Sequence, residues 1–453
     1  MPTTSQQRSS GPTLREVLLH KGYLRLLLVS ALVGIPVSLA AFGFVSLEHE
    51  LQHWVWQSLP ETLGYHQAPW WWPLPALLLA GLLLAPIVTR LPGHGGHIPV
   101  DGFGGPPTMP VAVPGVVLAA LACLPLGVVL GPESPLMALG GGLALLAVRS
   151  AQRVEHPQLV AVLGTAGSAA AISTIFGSPL VAAVMVIEAA GLGGPQLTAL
   201  ILPSLLSGGL GALVFTGFGH WTGLSIGALS LPSVPRAGVP DPGDFLWGVP
   251  LAAAIAVVCV AGRTVGRGVK AFVTTGTARQ TALRIVLCAV AVGCCLAAYA
   301  LLTGRSPEQV ALSGQATLGA LAADPADWPI GALLALALFK GLGWSIALGS
   351  LRGGPIFPAL LLGTALGTAC APLPGFGAGP ALAVGLAASG AAVTGLPVTS
   401  TVLAAALLGS QATDAMPLLI VSTVVAFITA QSLRGRPKRG AAPAGRTEAP
   451  EVS

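Results

Sequence analysis

Charge is what this chain of 453 residues has least of: Asp, Glu, Lys and Arg together make up 8% of it, against 53% hydrophobic residues. A soluble domain carries about 25% charge, so this composition excludes an ordinary water-exposed α/β enzyme. Paired cysteines are also missing. The six present, at 123, 259, 288, 294, 295 and 370, fall inside apolar segments. They read as small buried hydrophobes and indicate neither a disulfide framework nor a zinc site. Catalytic signatures are absent as well: there is no Gly-x-Ser-x-Gly, no His-Glu-x-x-His, and no histidine accompanying a candidate serine or cysteine at membrane depth. An intramembrane enzyme is therefore the weakest class of reading, and no cofactor is implied.

What is present is apolar length. Candidate membrane segments lie near residues 24–47, 72–90, 110–130, 132–148, 158–175, 179–191, 196–218, 246–262, 281–303, 329–349, 354–371, 380–393, 397–409 and 415–432. Crossing a bilayer takes about 20 apolar residues, and several of these are shorter. Short apolar pieces predict broken or re-entrant helices, whose irregular backbone must line a cavity enclosed by protein. Transporters use such helices, aiming half-helix ends at an ion near the midplane. Sixty glycines and thirty-nine prolines supply the breaks.

The charges that remain are concentrated. Arg8, Arg15, Lys21 and Arg25 precede the first span, Arg263, Arg267, Lys270, Arg279 and Arg284 lie between two spans, and Arg434, Arg436, Lys438, Arg439 and Arg446 follow the last. The excess of positive residues on cytoplasmic loops predicts that all three places, and both termini, are cytoplasmic. The basic tails are then topology signals, not nucleic-acid sites. The stretch from Leu26 is as long as a full span and lacks a small-residue cleavage site, so no cleavable signal peptide is expected.

Within this charge-poor chain Glu133 stands alone, in Leu130-Gly131-Pro132-Glu133-Ser134-Pro135. Proline is preorganised for a first helical turn, so the pair predicts a helix start with Glu133 in it. A charge at membrane depth costs about 2.5–3.5 kcal/mol and is a functional candidate by default. The window recurs. Pro132, Pro135, Leu139, Gly140 and Leu143 share their spacing with Pro355, Pro358, Leu362, Gly363 and Leu366. Phe176-Gly177-Ser178-Pro179-Leu180 is echoed, in the same order, by Thr394-Gly395-Leu396-Pro397-Val398. Two related halves point to a repeat-built transporter or channel with its site between them. A helix start exposes unpaired N–H groups and about half a positive charge, which is an anion site without a full cation. The second half offers backbone alone at Ile356 and Phe357. The first adds a carboxylate that can sit where an anion would and leave when protonated.

These segments resemble the CLC family of chloride channels and chloride/proton antiporters. Gly131-Pro132-Glu133-Ser134-Pro135 resembles that family's Gly-x-Glu-Gly-Pro, which carries the gating glutamate. Gly353-Gly354-Pro355-Ile356-Phe357-Pro358 is similar to its Gly-x-Phe-x-Pro region, Gly95-Gly96-His97-Ile98-Pro99 to its Gly-Ser-Gly-Ile-Pro, and Gly167 through Glu188 to the segment after the gate. The ordered match runs from about residue 24 to 432. The resemblance implies an all-α polytopic membrane protein of two inverted-topology repeats with broken and re-entrant helices. It implies Glu133 as gate and Gly96, His97, Ile98, Ile356 and Phe357 at the anion, with transport of a small anion, most simply chloride, across the inner (plasma) membrane. It also implies a homodimer. The expected organisation is a tail at 1–22, a first repeat at 23–218, a connection at 219–245, a second repeat at 246–432 and a disordered basic tail at 433–453.

The departures bear on coupling. Gly96 stands where a serine hydroxyl usually coordinates the anion, and His97 where glycine is usual. The family's central tyrosine has its counterpart near Gln411, with no tyrosine nearby. Relatives that exchange protons often carry a second glutamate after Ile-Glu, but here Ile187-Glu188 is followed by Ala189. Uncoupled flux is the leading expectation, with a proton-coupled antiporter by an unconventional route as the alternative. Glu188 is then either a substitute proton residue or a structural acid at a helix end, the latter favoured. His94-x-x-His97 is no metal site, since the glycines around it argue against a helix and only Asp101 is an adjacent acid; pore lining by His97 fits better. Lys340 and Arg352 read as structural, although Arg352 beside the second helix start would raise local anion concentration.

Overall fold

In the computed structural model the described residues are 21–434, except 103–106, 152–156, 191–193, 223–230, 232 and 237. The expected tails fall almost wholly outside them, as does part of the expected connection. The described residues form α1 (Lys21–His53), α2 (Pro73–Arg90), α3 (Val113–Cys123), α4 (Glu133–Ala151), α5 (Pro157–Phe176), α6 (Pro179–Ala190) and α7 (Gly194–Thr222). Then come α8 (Pro242–Thr274), α9 (Ala278–Thr303), α10 (Gln315–Ala323), α11 (Ile330–Ser350), α12 (Ile356–Cys370), α13 (Ala378–Thr394), α14 (Pro397–Leu408) and α15 (Ala412–Leu433). Among them eight helical stretches are long and apolar enough to cross a membrane, while α4, α6, α12 and α13 belong to a shorter apolar set. This is the broken-helix pattern that the segment lengths predict.

The two halves pack alike. Helix α4 lies on α5 as α12 lies on α13; α5 meets α7 as α13 meets α15; α1 meets α7 as α8 meets α15. The matched sequence windows explain why. A Cβ on Gly140 would collide with the Gly167 carbonyl, and one on Gly363 with the Gly385 carbonyl, so each shared glycine is the point where two helices touch backbone to backbone. Membrane helices associate through such small-residue contacts, because lipid gives them no hydrophobic reason to meet. The second pair of windows forms equivalent stops: Gly177 and Gly395, both at positive φ (61° and 71°), end α5 and α13, and a proline then opens α6 and α14.

Two expected spans differ. The run 110–130 breaks at Cys123 into a 3-10 turn and a left-handed Gly127. The Trp56 indole drives the break, donating to the Pro125 carbonyl at 3.1 Å and packing where a Gly127 Cβ would stand. The run 246–262 belongs to a longer helix. Asp241 and Asp244 cap each other's backbone to start α8 at Pro242, and Arg263 and Lys270 stay helical because each has a partner at its polar end. Helix α10 matches no expected segment, being nine residues long.

The charged ends converge. Arg263 donates to the Val393 carbonyl at 2.5 Å and Arg434 to the Ala392 carbonyl at 2.6 Å, so two cations meet the C-terminal end of α13, where the helix dipole is negative. Lys270 pairs with Asp101 at 2.6 Å. The cysteines form no disulfide; Cys123, Cys259 and Cys288 are buried, whereas Cys294 lies exposed on the apolar face of α9.

Candidate functional site

The starts of α4 and α12 are tied directly together. Gly131 and Gly354, each two residues before a helix, form an isolated antiparallel bridge, with Gly131 N–H to Gly354 O at 2.8 Å and the reciprocal bond at 2.5 Å. A Cβ on either would overlap the Glu133 carboxyl, so a side chain at these positions would displace it. The bridge sets the two helix N-termini against each other, and Glu133 lies between them, fully buried.

The carboxylate rests on backbone amides, those of Ile356 and Phe357 at the start of α12 and its own. Glu133 Oε1 accepts the Ile356 amide at 2.6 Å. Its Oε2 has no hydrogen-bond partner. No cation pairs with it: the only ion pair among the described residues joins Lys270 to Asp101. A charged acceptor at a helix start is a favourable arrangement, and the same amide would serve any anion placed there. Phe357 packs its ring 5.5 Å from that of Phe176, at the end of α5, closing the apolar side.

A cavity of about 570 Å³ reaches this point. Gly96, His97, Ser134, Ser168, Arg352 and Gly353 are among its lining. Ser134 follows Glu133 and Gly353 precedes the bridged Gly354, so the lining passes on both sides of the carboxyl while the carboxyl itself is excluded from it. The cavity sits at the basic end of the molecule. Its lining includes Ala199, whose carbonyl accepts from Tyr23 near the start of α1 (3.4 Å), and Gly102, beside the Arg263 guanidinium. Among the described residues, Tyr23 and Arg263 thus mark the rim of this vestibule.

A profile of the family described as voltage gated chloride channel matches residues 100–431. The chain belongs to that family. At 33% identity over 173 residues it is similar to YfeO of Escherichia coli (strain E24377A) and of Shigella boydii serotype 4 (strain Sb227), whose name assigns it provisionally to ion transport. The match spans 37% of this chain and 40% of the curated relatives' length. Two solved structures share the fold at 18% identity: a slow cyanobacterial Cl⁻/H⁺ antiporter (TM-score 0.74, 91% of this chain and 96% of that one) and a CLC-type fluoride/proton antiporter (TM-score 0.67, 90% and 96%). Members of the CLC family are membrane transporters or channels, not enzymes.

Of the predicted site residues, the structure brings Glu133, Ile356 and Phe357 together at the paired helix starts and places Gly96 and His97 on the vestibule. Ile98 does not line that cavity. His94 and His97 do not converge: His94 Nδ1 lies 2.9 Å from the Val88 carbonyl, whereas His97 faces the cavity. Gln411 sits in the turn joining α14 to α15 and Glu188 at the end of α6, and neither lines the vestibule. Glu188 caps α14: Oε1 accepts the Val398 amide at 2.9 Å, and Oε2 accepts the Thr399 amide and hydroxyl, both at 2.7 Å. That is the geometry of the structural acid at a helix end. Lys340, wholly buried, donates to the carbonyls of Val310, Ala311 and Leu312 at 2.9–3.0 Å, satisfying its three donors without a carboxylate.

One acid escaped the sequence reading. Glu48 is buried in the last turns of α1, hydrogen-bonded to Gln52, and close enough to Glu133 for the two carboxyls to repel when both are charged. Its signal is weak, because Glu48-His49-Glu50 looks like the polar end of a span. The membrane helix instead continues through a π turn at Trp54–Ser58 to Thr62.

Proposed function

We propose that this chain carries small anions, most simply chloride, across the membrane along a path between the starts of α4 and α12, with Glu133 as its gate. The observation that carries the reading is the 2.6 Å bond from the Ile356 amide to a buried carboxylate oxygen: the side chain occupies the place of an anion at a helix start. When Glu133 is displaced or protonated, that amide becomes available to a permeating ion that binds and then leaves. Gly96 and His97 line the approach, and Arg352 adds positive potential to it.

Proton coupling is the second reading. A titratable group blocks the path, a second buried acid, Glu48, lies within electrostatic range, and the two solved structures of like fold are described as proton-coupled antiporters. The protein resides in the inner (plasma) membrane with both termini cytoplasmic and the vestibule facing the cytoplasm, as a homodimer. Residues 23–218 and 246–432 form its two repeats.

The deciding experiment is flux in proteoliposomes containing a pH probe. Chloride movement without stoichiometric proton movement supports the gated path, and matched proton movement supports the antiporter. If no anion of any kind moves, both readings fail. Chemical cross-linking in the same vesicles tests the dimer.

A further inference from the structure

The vestibule carries one formal charge on its described lining, and the structure leaves part of it unspent. Arg352 is 6% exposed. Asp101, the acid within its electrostatic range, is already bonded to Lys270 through both oxygens, at 2.6 and 2.8 Å. A guanidinium has five N–H groups. Nε and one hydrogen of Nη2 go to the His94 carbonyl, at 3.2 and 3.1 Å, and one hydrogen of Nη1 goes to the Leu351 carbonyl at 3.1 Å. These bonds lock the plane of the group and leave one N–H on each terminal nitrogen without an acceptor among the described residues. Ser134 lines the same cavity.

We infer that the free N–H pair of Arg352, with the Ser134 hydroxyl, forms a second anion site in the vestibule that takes small planar oxyanions, of the nitrate, bicarbonate or formate kind, in preference to halides. The inference rests on the anion-transport reading above and deepens it. A cavity of about 570 Å³, against about 30 Å³ for one water, does not select small anions by size, so selection falls to the donors. Two N–H groups on one rigid plane match two oxygens of a planar anion with parallel bonds, whereas a spherical halide draws both donors to one point. The burial of the guanidinium sharpens the difference, because an N–H without an acceptor is costly where water is scarce. The Gly96 position supplies only backbone here, so these side-chain donors set the preference.

The test is calorimetric titration of the purified full-length protein, in phospholipid-free detergent, with sodium nitrate and with sodium chloride, so that no lipid phosphate competes. Wild type is expected to bind nitrate about tenfold more tightly than chloride, and Arg352→Lys, which keeps the charge and loses the fork, to abolish that preference. Equal affinities in wild type, or an intact nitrate preference in Arg352→Lys, overturn the assignment. If Arg352→Lys fails to fold, because the side chain also anchors the His94 loop, Ser134→Ala decides: about a threefold loss of nitrate affinity supports the site and no loss refutes it. Nitrate binding by a protein that moves no anion would sink the transport reading and spare the site. Anion flux without a nitrate preference would do the reverse.

Discussion

Replacing Glu133 by glutamine isolates the charge from the shape. The side chain keeps an oxygen for the Ile356 amide, but a 2.6 Å charge-assisted bond becomes a neutral one. Bonds to charged groups contribute about 1.5–3 kcal/mol and neutral ones about 0.5–1.5 kcal/mol. The blocking conformation should thus lose about 1–1.5 kcal/mol, and the fraction of time it holds the path should fall relative to the displaced state by about five- to tenfold. The partnerless Oε2 becomes an NH₂ with no acceptor in place, which pushes the same way. The assay is chloride efflux from proteoliposomes between pH 4.5 and 7.5. Acidification neutralises the wild-type carboxyl and weakens its bond to the amide, so wild-type flux should rise as pH falls. The Glu133→Gln variant should be faster at pH 7.5 and flat across the range, with any proton movement abolished. A variant with wild-type flux and wild-type pH dependence would show that the carboxylate beside Ile356 is not the gate.

Three further substitutions separate roles. Glu188→Gln keeps one acceptor of the cap on α14 and should cost about 1–2 kcal/mol of stability in detergent unfolding while leaving the pH profile of flux in place; a lost proton flux would make Glu188 a proton residue after all. Lys340→Met strips three buried carbonyls of their donor and should destabilise by about 3–5 kcal/mol, read as a sharp fall in thermal midpoint or in monodisperse yield, whereas an unchanged midpoint would refute the three-carbonyl account. Glu48→Gln removes the second buried acid while keeping its shape: under the antiporter reading proton movement should fall with the fold intact, and unchanged stoichiometric proton movement would take Glu48 out of the route.

The fold was legible wherever the determinant was local. Proline pairs marked the starts of α4 and α12, and the second pair of matched windows, around Pro179 and Pro397, fell at the starts of α6 and α14. Glu133 and Ile356 were legible as one site because repetition in sequence implies opposition in space when two repeats face each other. What stayed hidden depends on contacts that no spacing encodes. The Arg352 guanidinium is bound by a carbonyl 258 residues away. The break at Gly127 is made by Trp56 from another helix, and Glu48 is buried because α1 runs past its charges into a further helical turn. Gln411 sits in the turn connecting α14 and α15, away from the vestibule lining, and nothing in its composition says which end of the bundle that turn occupies.

The two acids of the first half that reach the second show why only one is assigned movement. Glu133 binds the start of α12, and Glu188 binds the start of α14, the counterpart of its own helix α6. The arrangements are analogous and their strengths are not. Glu188 engages both oxygens in three bonds, while Glu133 rests one oxygen on the Ile356 amide, with the Phe357 amide and its own beside the carboxyl, and leaves Oε2 without a partner. Bonds to a charged group contribute about 1.5–3 kcal/mol each, so Glu188, with both oxygens engaged, is the more firmly held of the two. A gate has to let go many times a second and a brace should not. On the proposed reading, the same residue type at two related helix starts is divided between these tasks by how fully its oxygens are engaged.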